Sequence, residues 1–528
     1  MGEAPIFQFN EERESIVEEV VGRVSRATPD PLLLLNDAAY HEIRRLEAHP
    51  GSERGEYERF RDVARTVGKL TDVERRRRVE DLARHYAGDV AGHFDPRVFA
   101  FSTTVIPRAL ALLLSPKDFS EGFRTAGRLQ RHLTTQGPVE KLRALSKRAT
   151  LVFVPTHLSN LDSVVFGFAL DREGLPPVSY GAGKNLFTNP FLSFFMRNLG
   201  AYRVDRRIRH ELYKEVLKSY STVLLERGYH SLFFPGGTRC RSGLVEERLK
   251  LGLMGTGVEA YVQSLMRGRE QRVVFVPSTI NYLLTLEAST LIADYLAEVG
   301  RNRYIIDDDE STQLERVITL VRKLVMTTGS VVIRFGEPID PFTNRVTEDG
   351  RSLDPRGREV DPRTYVTRNG VAVPDEARDA QYTRELGEAI CAQYAQHTVA
   401  LATHLVAAVS FQKLRDTHPG KDLFSLLRHR DEVFLPHDEL ERRLHDLVER
   451  AAALEDRGAL VLGPGIRRQR PSVLVDEAVR AWSGYHSNAV LRPVEGGYML
   501  SDTNLLLYYQ NRLAVSGLGF HPAKGARR

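Results

Sequence analysis

The chain has 528 residues, 42% of them hydrophobic and 27% charged, and a formal net charge of +5. This composition is typical of a soluble globular protein with two or three domains, and the small net charge gives no argument for nucleic-acid binding. Cys240 and Cys391 are the only cysteines, too few for a disulfide framework or a cysteine metal site. We find neither a secretory signal nor an apolar run long enough to span a membrane, so we expect a cytoplasmic protein.

Residues 11–135 carry apolar positions at three- and four-residue spacing among Arg and Glu, and this pattern predicts helices. We therefore predict a helical N-terminal region over residues 1–140. Four consecutive arginines, Arg75 to Arg78, fall within it. They indicate a solvated helix face or, alternatively, a contact with anionic lipid headgroups.

Short apolar segments then alternate with helical patterns, which is typical of an α/β fold with a largely parallel sheet flanked by helices. We predict this domain over residues 141–345. Its strand candidates are Leu151–Val154, Val178–Tyr180, Ala201–Val204, Ser231–Phe234, Val273–Ile280 and Val331–Phe335.

Residues 346–380 are rich in Asp, Arg, Gly and Pro and predict a loop or linker. Helical patterns return at Tyr382–Leu414 and Asp438–Arg457, so we predict a mainly helical C-terminal region over residues 381–528. Its most apolar part, residues 398–409, favours a buried packing helix over a membrane anchor.

The most informative segment, residues 154–162, has the sequence Val-Pro-Thr-His-Leu-Ser-Asn-Leu-Asp between two apolar runs. It predicts a buried strand, a tight turn and a helix. His157 is the only one of the 16 histidines with an aspartate five residues later. That spacing suggests a general base and its orienting carboxylate, Asp162. A surface histidine followed by a helix-start aspartate is the plainer alternative.

Helix geometry constrains this turn. Positions five apart in an ideal helix point roughly 140° away from one another, so His157 must precede the helix and fold back over its first residues. We expect Ser159 or Asn160 as the N-cap and Asp162 in the first turn. The carboxylate would then hold one ring nitrogen and leave the other basic.

Three further segments carry basic or glycine-rich patterns. Residues 183–207 begin with Gly-Lys-Asn and end with Gly-Ala-Tyr-Arg-Val-Asp-Arg-Arg, residues 231–243 contain Phe-Pro-Gly-Gly-Thr-Arg-Cys-Arg-Ser-Gly, and residues 273–282 contain Val-Pro. Basic groups and paired glycines at strand ends can meet a phosphate, although a solvated loop is the usual fate of such a turn. The aromatic run over residues 191–196 indicates an acyl groove or, alternatively, core packing.

Together and in this order, the four segments resemble the sequence blocks of the glycerolipid acyltransferase superfamily, whose members transfer fatty acyl groups from thioesters to glycerol phosphates. Residues 322–338, the apolar helix around Val399 and residues 505–512 resemble the branch that acylates glycerol 3-phosphate and dihydroxyacetone phosphate. Two positions depart from the family pattern: Gly236 stands where an acidic residue is usual, and Cys240 where a serine is usual.

The resemblance implies a set of site residues, with catalytic roles for His157 and Asp162 and substrate-binding roles for Lys184, Arg206, Gly237, Arg239 and Arg241. It implies direct transfer, without a metal or cofactor, from acyl-CoA or acyl-ACP, the acyl form of acyl carrier protein, to glycerol 3-phosphate. The product would be lysophosphatidate, an intermediate of phospholipid synthesis. Lysophosphatidate as the acceptor is the nearest alternative, and a non-catalytic membrane-associated protein is another. We expect peripheral contact with anionic lipid at the cytoplasmic face of the membrane.

Overall fold

The computed structural model describes residues 4–48, 54–104, 133–187, 190–300, 331–483, 485–486 and 488–521. The helices of the first two thirds are α1 (Phe9–Ala27), α2 (Pro31–Ala48), α3 (Arg54–Thr66), α4 (Asp72–Val90), α5 (Pro96–Thr104), α6 (Val139–Ser146), α7 (Asp162–Arg172), α8 (Pro190–Asn198), α9 (Glu211–Glu226), α10 (Gly255–Met266) and α11 (Ala288–Val299). Those that follow are α12 (Glu376–His397), α13 (Ala402–Thr417), α14 (Leu423–Leu427), α15 (His437–Glu455), α16 (Pro471–Trp482) and α17 (Thr503–Asn511).

A seven-stranded sheet forms the centre of the molecule, in the order β1-β7-β6-β2-β5-β3-β4. Its strands are β1 (Leu133–Gln136), β2 (Thr150–Pro155), β3 (Ser179–Gly183), β4 (Ala201–Val204), β5 (Ser231–Leu232), β6 (Val273–Tyr282) and β7 (Val331–Phe335). All neighbouring pairs are parallel except β6 and β7. The predicted α/β fold with a largely parallel sheet flanked by helices is therefore confirmed.

Strand β2 lies in the middle of this sheet, and all six of its residues are buried. An apolar run of this kind is expected of a strand covered on both faces. Strands β2, β3, β4 and β5 run parallel, so the turns that follow them meet at one edge of the sheet. Three of the four predicted segments therefore converge there, and the fourth is strand β6 beside β2.

The structure corrects three secondary-structure predictions. Leu133–Gln136 pairs with β7 as a strand, although Leu-Thr-Thr-Gln gives no strand signal of its own. The single helical pattern Tyr382–Leu414 is two helices, α12 and α13, because Val399–Ala400 pairs with Val461–Leu462 as a short strand. The predicted linker contains short paired strands, which are Arg345–Val346, Ser352–Leu353, Glu359–Val360, Thr367–Arg368 and Val371–Ala372.

Two helical layers cover the sheet. The N-terminal helices pack on α9, where the buried guanidinium of Arg23 makes two 2.7 Å bonds to Glu226. Arg75 and Arg76 donate to backbone carbonyls and Arg78 pairs with Asp62, as expected for a structural helix face.

The C-terminal layer is built around α13, whose residues 402–411 are all buried. This confirms residues 402–409 as part of a packing helix. A small sheet of Phe434–Pro436, Leu491–Val494 and Gly497–Leu500 borders it. Among the described residues, no helix combines the length and the apolar character needed to cross a membrane.

Candidate active site

The predicted catalytic pair is in contact. His157 lies in the turn after β2, and Asp162 is the first residue of α7. The Nδ1 atom of His157 lies 2.8 Å from Oδ2 of Asp162. The Asp162 side chain is fully buried, whereas that of His157 keeps 13% of its surface exposed. A substrate can therefore reach the imidazole but not the carboxylate.

The predicted N-cap at Ser159 or Asn160 is wrong. Leu161 precedes helix α7 and makes no side-chain cap. The carboxylate of Asp162 instead turns back from the first helical position and accepts the backbone N–H groups of Leu158 and Ser159 at 2.6 and 2.9 Å. The same carboxylate thus shapes the turn and contacts the histidine.

Tyr282 at the end of β6 donates its hydroxyl to Oδ1 of Asp162 at 2.6 Å. Burial raises the pKa of Tyr282 well above its ordinary value, so the phenol keeps its proton. An ionised carboxylate only accepts hydrogen bonds, and this one faces two backbone N–H groups, a phenol and the imidazole. This network assigns the proton of His157 to Nδ1 and leaves the lone pair on Nε2.

The third segment holds the other side of His157. The ring of Phe234 stacks on the imidazole with centroids 4.1 Å apart and planes 20° from parallel. The backbone N–H of His157 donates to Oε1 of Glu246 at 3.0 Å, and its carbonyl accepts the N–H of Cys240 at 2.7 Å. A Cβ added at Gly236 would lie 3.5 Å from Oε1 of Glu246. Glu246 therefore places a carboxylate beside the position where the family pattern has its acidic residue.

Glu287, just before α11, connects the first and third segments. Its buried carboxylate accepts the hydroxyl of Ser159 at 2.8 Å, the N–H of Asn160 at 2.9 Å and Nη1 of Arg239 at 3.3 Å. Burial raises the pKa of Glu287, and the charge of Arg239 is the largest influence that opposes this. Arg239 is thereby connected to the turn that carries His157.

Arg206, at the end of the second segment, lies near Arg239. The side chain of Arg206 reaches solvent, but part of it is buried. This partial burial lowers the pKa of Arg206, and the positive charge of Arg239 is the second cause. An anion between two neighbouring guanidinium groups relieves their mutual repulsion. The phosphate-binding role of Arg206 and Arg239 stays a prediction.

Lys184 and Arg241 have carboxylate partners of their own. Lys184 lies 3.3 Å from Asp205, whose pKa falls to about 2 because bonds from Arg207 and the charge of Lys184 outweigh the effect of burial. Arg241 pairs with Glu298 at 3.1 Å, near the end of α11.

The two arginines of the third segment point in different directions. Glu287 and Glu298, their respective partners, are about 16 Å apart along α11 at 1.5 Å per residue. The structure therefore connects Arg239 to the histidine turn through Glu287 and pairs Arg241 with the other end of α11. The substrate-binding role of Arg241 stays a prediction.

Gly237 has a left-handed backbone, with φ of +77°, and a Cβ there would lie 2.8 Å from Nζ of Lys250. Only glycine fits this turn without displacing the lysine. Lys250 places a further cation at the third segment, and the sequence analysis missed it because it lies seven residues beyond the recognised block.

Cys240 replaces a serine without becoming a nucleophile. Burial raises the pKa of its thiol to about 11, and its sulfur lies 3.0 Å from the carbonyl oxygen of Leu244. A thiol that holds its proton at neutral pH and donates to the backbone is a packing element.

Part of this domain is similar to known proteins. Residues 138–281 match the family model described as Acyltransferase. The described part of this domain has the sheet and the histidine–aspartate geometry given above. Over these residues the chain is similar to known acyltransferases.

Several relatives carry the name glycerol-3-phosphate acyltransferase. The one from Pseudomonas aeruginosa (strain LESB58) is 26% identical over 323 residues, covering 60% of this chain and 34% of the relative. The one from Aeromonas hydrophila subsp. hydrophila is 31% identical over 215 residues, covering 40% of this chain and 24% of the relative. The aligned part therefore spans about a third or less of these relatives. The crystal structure of the 1-acyl-sn-glycerophosphate (LPA) acyltransferase from Thermotoga maritima covers 55% of this chain and 90% of its own, with 16% identity and a TM-score of 0.24, too low for a comparison of folds.

Proposed function

We propose that the protein transfers a fatty acyl group from a thioester to the hydroxyl of glycerol 3-phosphate and so makes lysophosphatidate. The observation that carries this proposal is the 2.8 Å contact between His157 and a buried Asp162, with Arg239 tethered to the same turn through Glu287. A base and a cation held together suit an acceptor that has both a hydroxyl and a phosphate.

The proposed chemistry uses Nε2 of His157 as the base. As the acceptor oxygen attacks the thioester carbonyl, its proton moves to Nε2, and Asp162 stabilises the imidazolium that forms. Collapse of the tetrahedral intermediate breaks the carbon–sulfur bond, and the departing thiolate takes the proton back. Transfer is direct, with no acyl-enzyme, and no step calls for a metal or cofactor.

Arg206 and Arg239 would hold the acceptor phosphate. A phosphate that enters between them replaces repulsion by two charge-assisted contacts, and Arg239 exchanges its 3.3 Å contact with Glu287 for a stronger one. Lys184 stays paired with Asp205 and orders the end of the second segment.

Lysophosphatidate carries the same phosphate, so these cations alone do not choose between the two acceptors. The preference for glycerol 3-phosphate comes from the resemblance of residues 322–338 and 505–512 to the branch that acylates small glycerol phosphates. The relatives named glycerol-3-phosphate acyltransferase support the same acceptor. Either acyl-CoA or acyl-ACP would serve as donor, because no contact among the described residues favours one carrier over the other.

A membrane surface is the proposed place of action, at the cytoplasmic face. Helices α5 and α8 contact each other and expose Phe101 (48%) and Phe194 (53%). Exposed Arg97 and Arg197 lie on the same two helices. Exposed aromatic rings beside arginines suit the interface of an anionic bilayer, where the lipid product would partition.

The deciding experiment is an acyl-transfer assay with the purified chain. Glycerol 3-phosphate, dihydroxyacetone phosphate and lysophosphatidate are offered separately, each with acyl-CoA and with acyl-ACP, and products are identified by mass spectrometry. His157→Ala, with its fold checked by circular dichroism, measures the background. We expect lysophosphatidate from glycerol 3-phosphate in the wild type alone. Phosphatidate made only from lysophosphatidate would reassign the acceptor, and no product from any acceptor would favour a non-catalytic protein.

A further inference from the structure

The C-terminal helix α17 packs directly against the third segment. Nδ2 of Asn511 donates to the carbonyl of Ser242 at 2.8 Å. Gly243 lies so close to the same helix that an added Cβ would be 2.2 Å from the carbonyl oxygen of Tyr508. The turn that carries Arg239 is thus held by a helix more than 250 residues further along the chain.

Arg512, the residue after α17, continues inward and is only 2% exposed. Its Nη2 makes long contacts of 3.5 Å to Oγ1 of Thr156, 3.3 Å to the carbonyl of Ile280 and 3.4 Å to Oδ1 of Asn281. Its Nε and Nη1 atoms are buried and have no hydrogen-bond partner among the described residues. A guanidinium keeps its charge in proteins, so this is a buried cation next to the residue that precedes His157.

Glu246 is the matching anion. Its Oε1 accepts the N–H of His157, while its Oε2 is shielded from solvent and accepts no hydrogen bond from the described part of the chain. Burial raises the pKa of Glu246, and the charge of Arg512 is the largest influence that opposes the rise. The two side chains therefore compensate each other across the His157 turn.

We propose that Glu246 and Arg512 act as a pair of positioning residues that hold the His157 turn from behind and set the electrostatic environment of its imidazole. Glu246 supplies the carboxylate that Gly236 lacks, and Arg512 makes the C-terminal region part of the catalytic arrangement. This inference rests on the proposed function.

The pair has a signature that mere packing lacks. The negative charge of Glu246 favours the imidazolium that forms at His157, whereas the positive charge of Arg512 opposes it. Loss of one charge or the other should therefore move the acidic limb of the pH–rate profile in opposite directions.

The test uses the full chain with Glu246→Gln, Arg512→Gln, Arg512→Lys and the double variant Glu246→Gln/Arg512→Gln. Glu247→Gln, a neighbouring exposed carboxylate, is the matched control. We expect kcat to fall about tenfold in each single Gln variant, with the KM for glycerol 3-phosphate changed by less than about twofold, because the pair does not touch the acceptor.

The acidic limb of kcat/KM should move to lower pH in Glu246→Gln and to higher pH in Arg512→Gln, and it should stay in place in Arg512→Lys and Glu247→Gln. The double variant should lose less activity than the product of the two single losses, because each charge acts through the other. The pairing would be overturned if the acidic limb stays in place in both single Gln variants, or if it moves in the same direction in both. It would also be overturned if the activity loss of the double variant equals the product of the two single losses. If Arg512→Gln fails to fold, the pairing is tested by the other two variants: the acidic limb should move to lower pH in Glu246→Gln and stay in place in Arg512→Lys.

A second readout does not depend on turnover. Diethylpyrocarbonate modifies unprotonated imidazole, and peptide mass spectrometry measures the modification rate of His157 against pH in the same variants. Opposite displacements of this profile support the pair even if no acceptor is acylated, which would count against the proposed function alone. Identical profiles in all variants would overturn the pair whether or not the enzyme is active.

Discussion

The two halves of the candidate site are held in different ways. In the acid–base half, Asp162 accepts four hydrogen bonds and the ring of His157 lies between that carboxylate and Phe234. In the cationic half, Arg239 has a 3.3 Å contact to Glu287, and Arg206 reaches solvent. The first half is rigid before substrate arrives, and the second is arranged to change partners.

The difference suits the role that we propose for each half. A general base must keep its tautomer and its orientation through the reaction, so preorganisation raises kcat. A phosphate site must first release its internal partners and afterwards release product, so moderate contacts serve it better. Variants of the acid–base half should therefore change kcat, and variants of the cationic half should change KM.

His157→Ala should have the largest effect, a loss of acyl transfer to the background level, because no other described group at Asp162 can accept the acceptor proton. Single-turnover assays with the purified variant measure the residual rate. Its thermal unfolding should resemble that of the wild type, since the imidazole lies in a turn and remains partly exposed. Near-normal turnover in a folded variant would remove His157 from the mechanism.

Asp162→Asn should lower kcat by about two to four orders of magnitude, as expected when a base loses its orienting carboxylate. The amide would present N–H groups to donors that now face a carboxylate, so the turn after β2 should also loosen. Steady-state kinetics on the folded variant give the loss. A rise in KM with unchanged kcat would contradict the division of the site into two halves.

The acid–base half could be predicted because its signal is local. His157 and Asp162 are five residues apart, and the apolar runs around them placed the turn at the carboxyl edge of the sheet. The cap was predicted wrongly because local propensity favours Ser159 or Asn160, whereas helix α7 begins after Leu161 and the Asp162 carboxylate turns back to the N–H groups of Leu158 and Ser159, which precede the helix.

The other residues that contact the His157 turn could not be predicted, because they are distant from it in sequence. Glu246 lies 89 residues from His157, in a segment with no motif signal. Arg512 lies 356 residues from Thr156, and although residues 505–512 contribute to the family resemblance, nothing in the sequence placed this side chain behind the His157 turn. Tyr282 and Glu287 had a weak sequence signal, since polar groups at or after the end of a buried strand often face a site. The resemblance to the glycerol-3-phosphate branch also runs through residues 322–330, which lie outside the described residues.

Arg239→Ala should raise the KM for glycerol 3-phosphate by about 10- to 100-fold with a smaller change in kcat, because a charge-assisted contact holds the phosphate in the ground state and the transition state alike. Arg241→Ala is the matched comparison, since Arg241 pairs with Glu298. We expect its KM to change by less than about threefold. Equal effects of the two variants would mean that both arginines reach the substrate.

Tyr282→Phe tests the support of the carboxylate. It removes a 2.6 Å bond to Asp162 and leaves the fully buried ring in place. We expect kcat to fall about tenfold at unchanged KM, the scale of one hydrogen bond to a charged group. Parallel measurement of thermal stability separates this from misfolding. A change confined to KM would place Tyr282 in the cationic half.

The smallest predicted effect separates the pH dependence of the chemistry from that of the fold. His230 lies at the other end of β2, where its Nδ1 accepts the N–H of Leu151 at 3.0 Å, and burial lowers its pKa to about 4. Between pH 6.5 and 4 the unfolded chain binds a proton that folded His230 does not, so stability falls as the pH falls. This histidine should cost about 2 kcal/mol of the free energy of unfolding between pH 7 and pH 5. His230→Asn keeps an acceptor for Leu151 without the titration, so urea unfolding at pH 7, 6 and 5 should show a shallower pH slope than the wild type. Equal slopes would mean that His230 takes up a proton equally in the folded and the unfolded chain, and the acidic limb of activity would then include its titration.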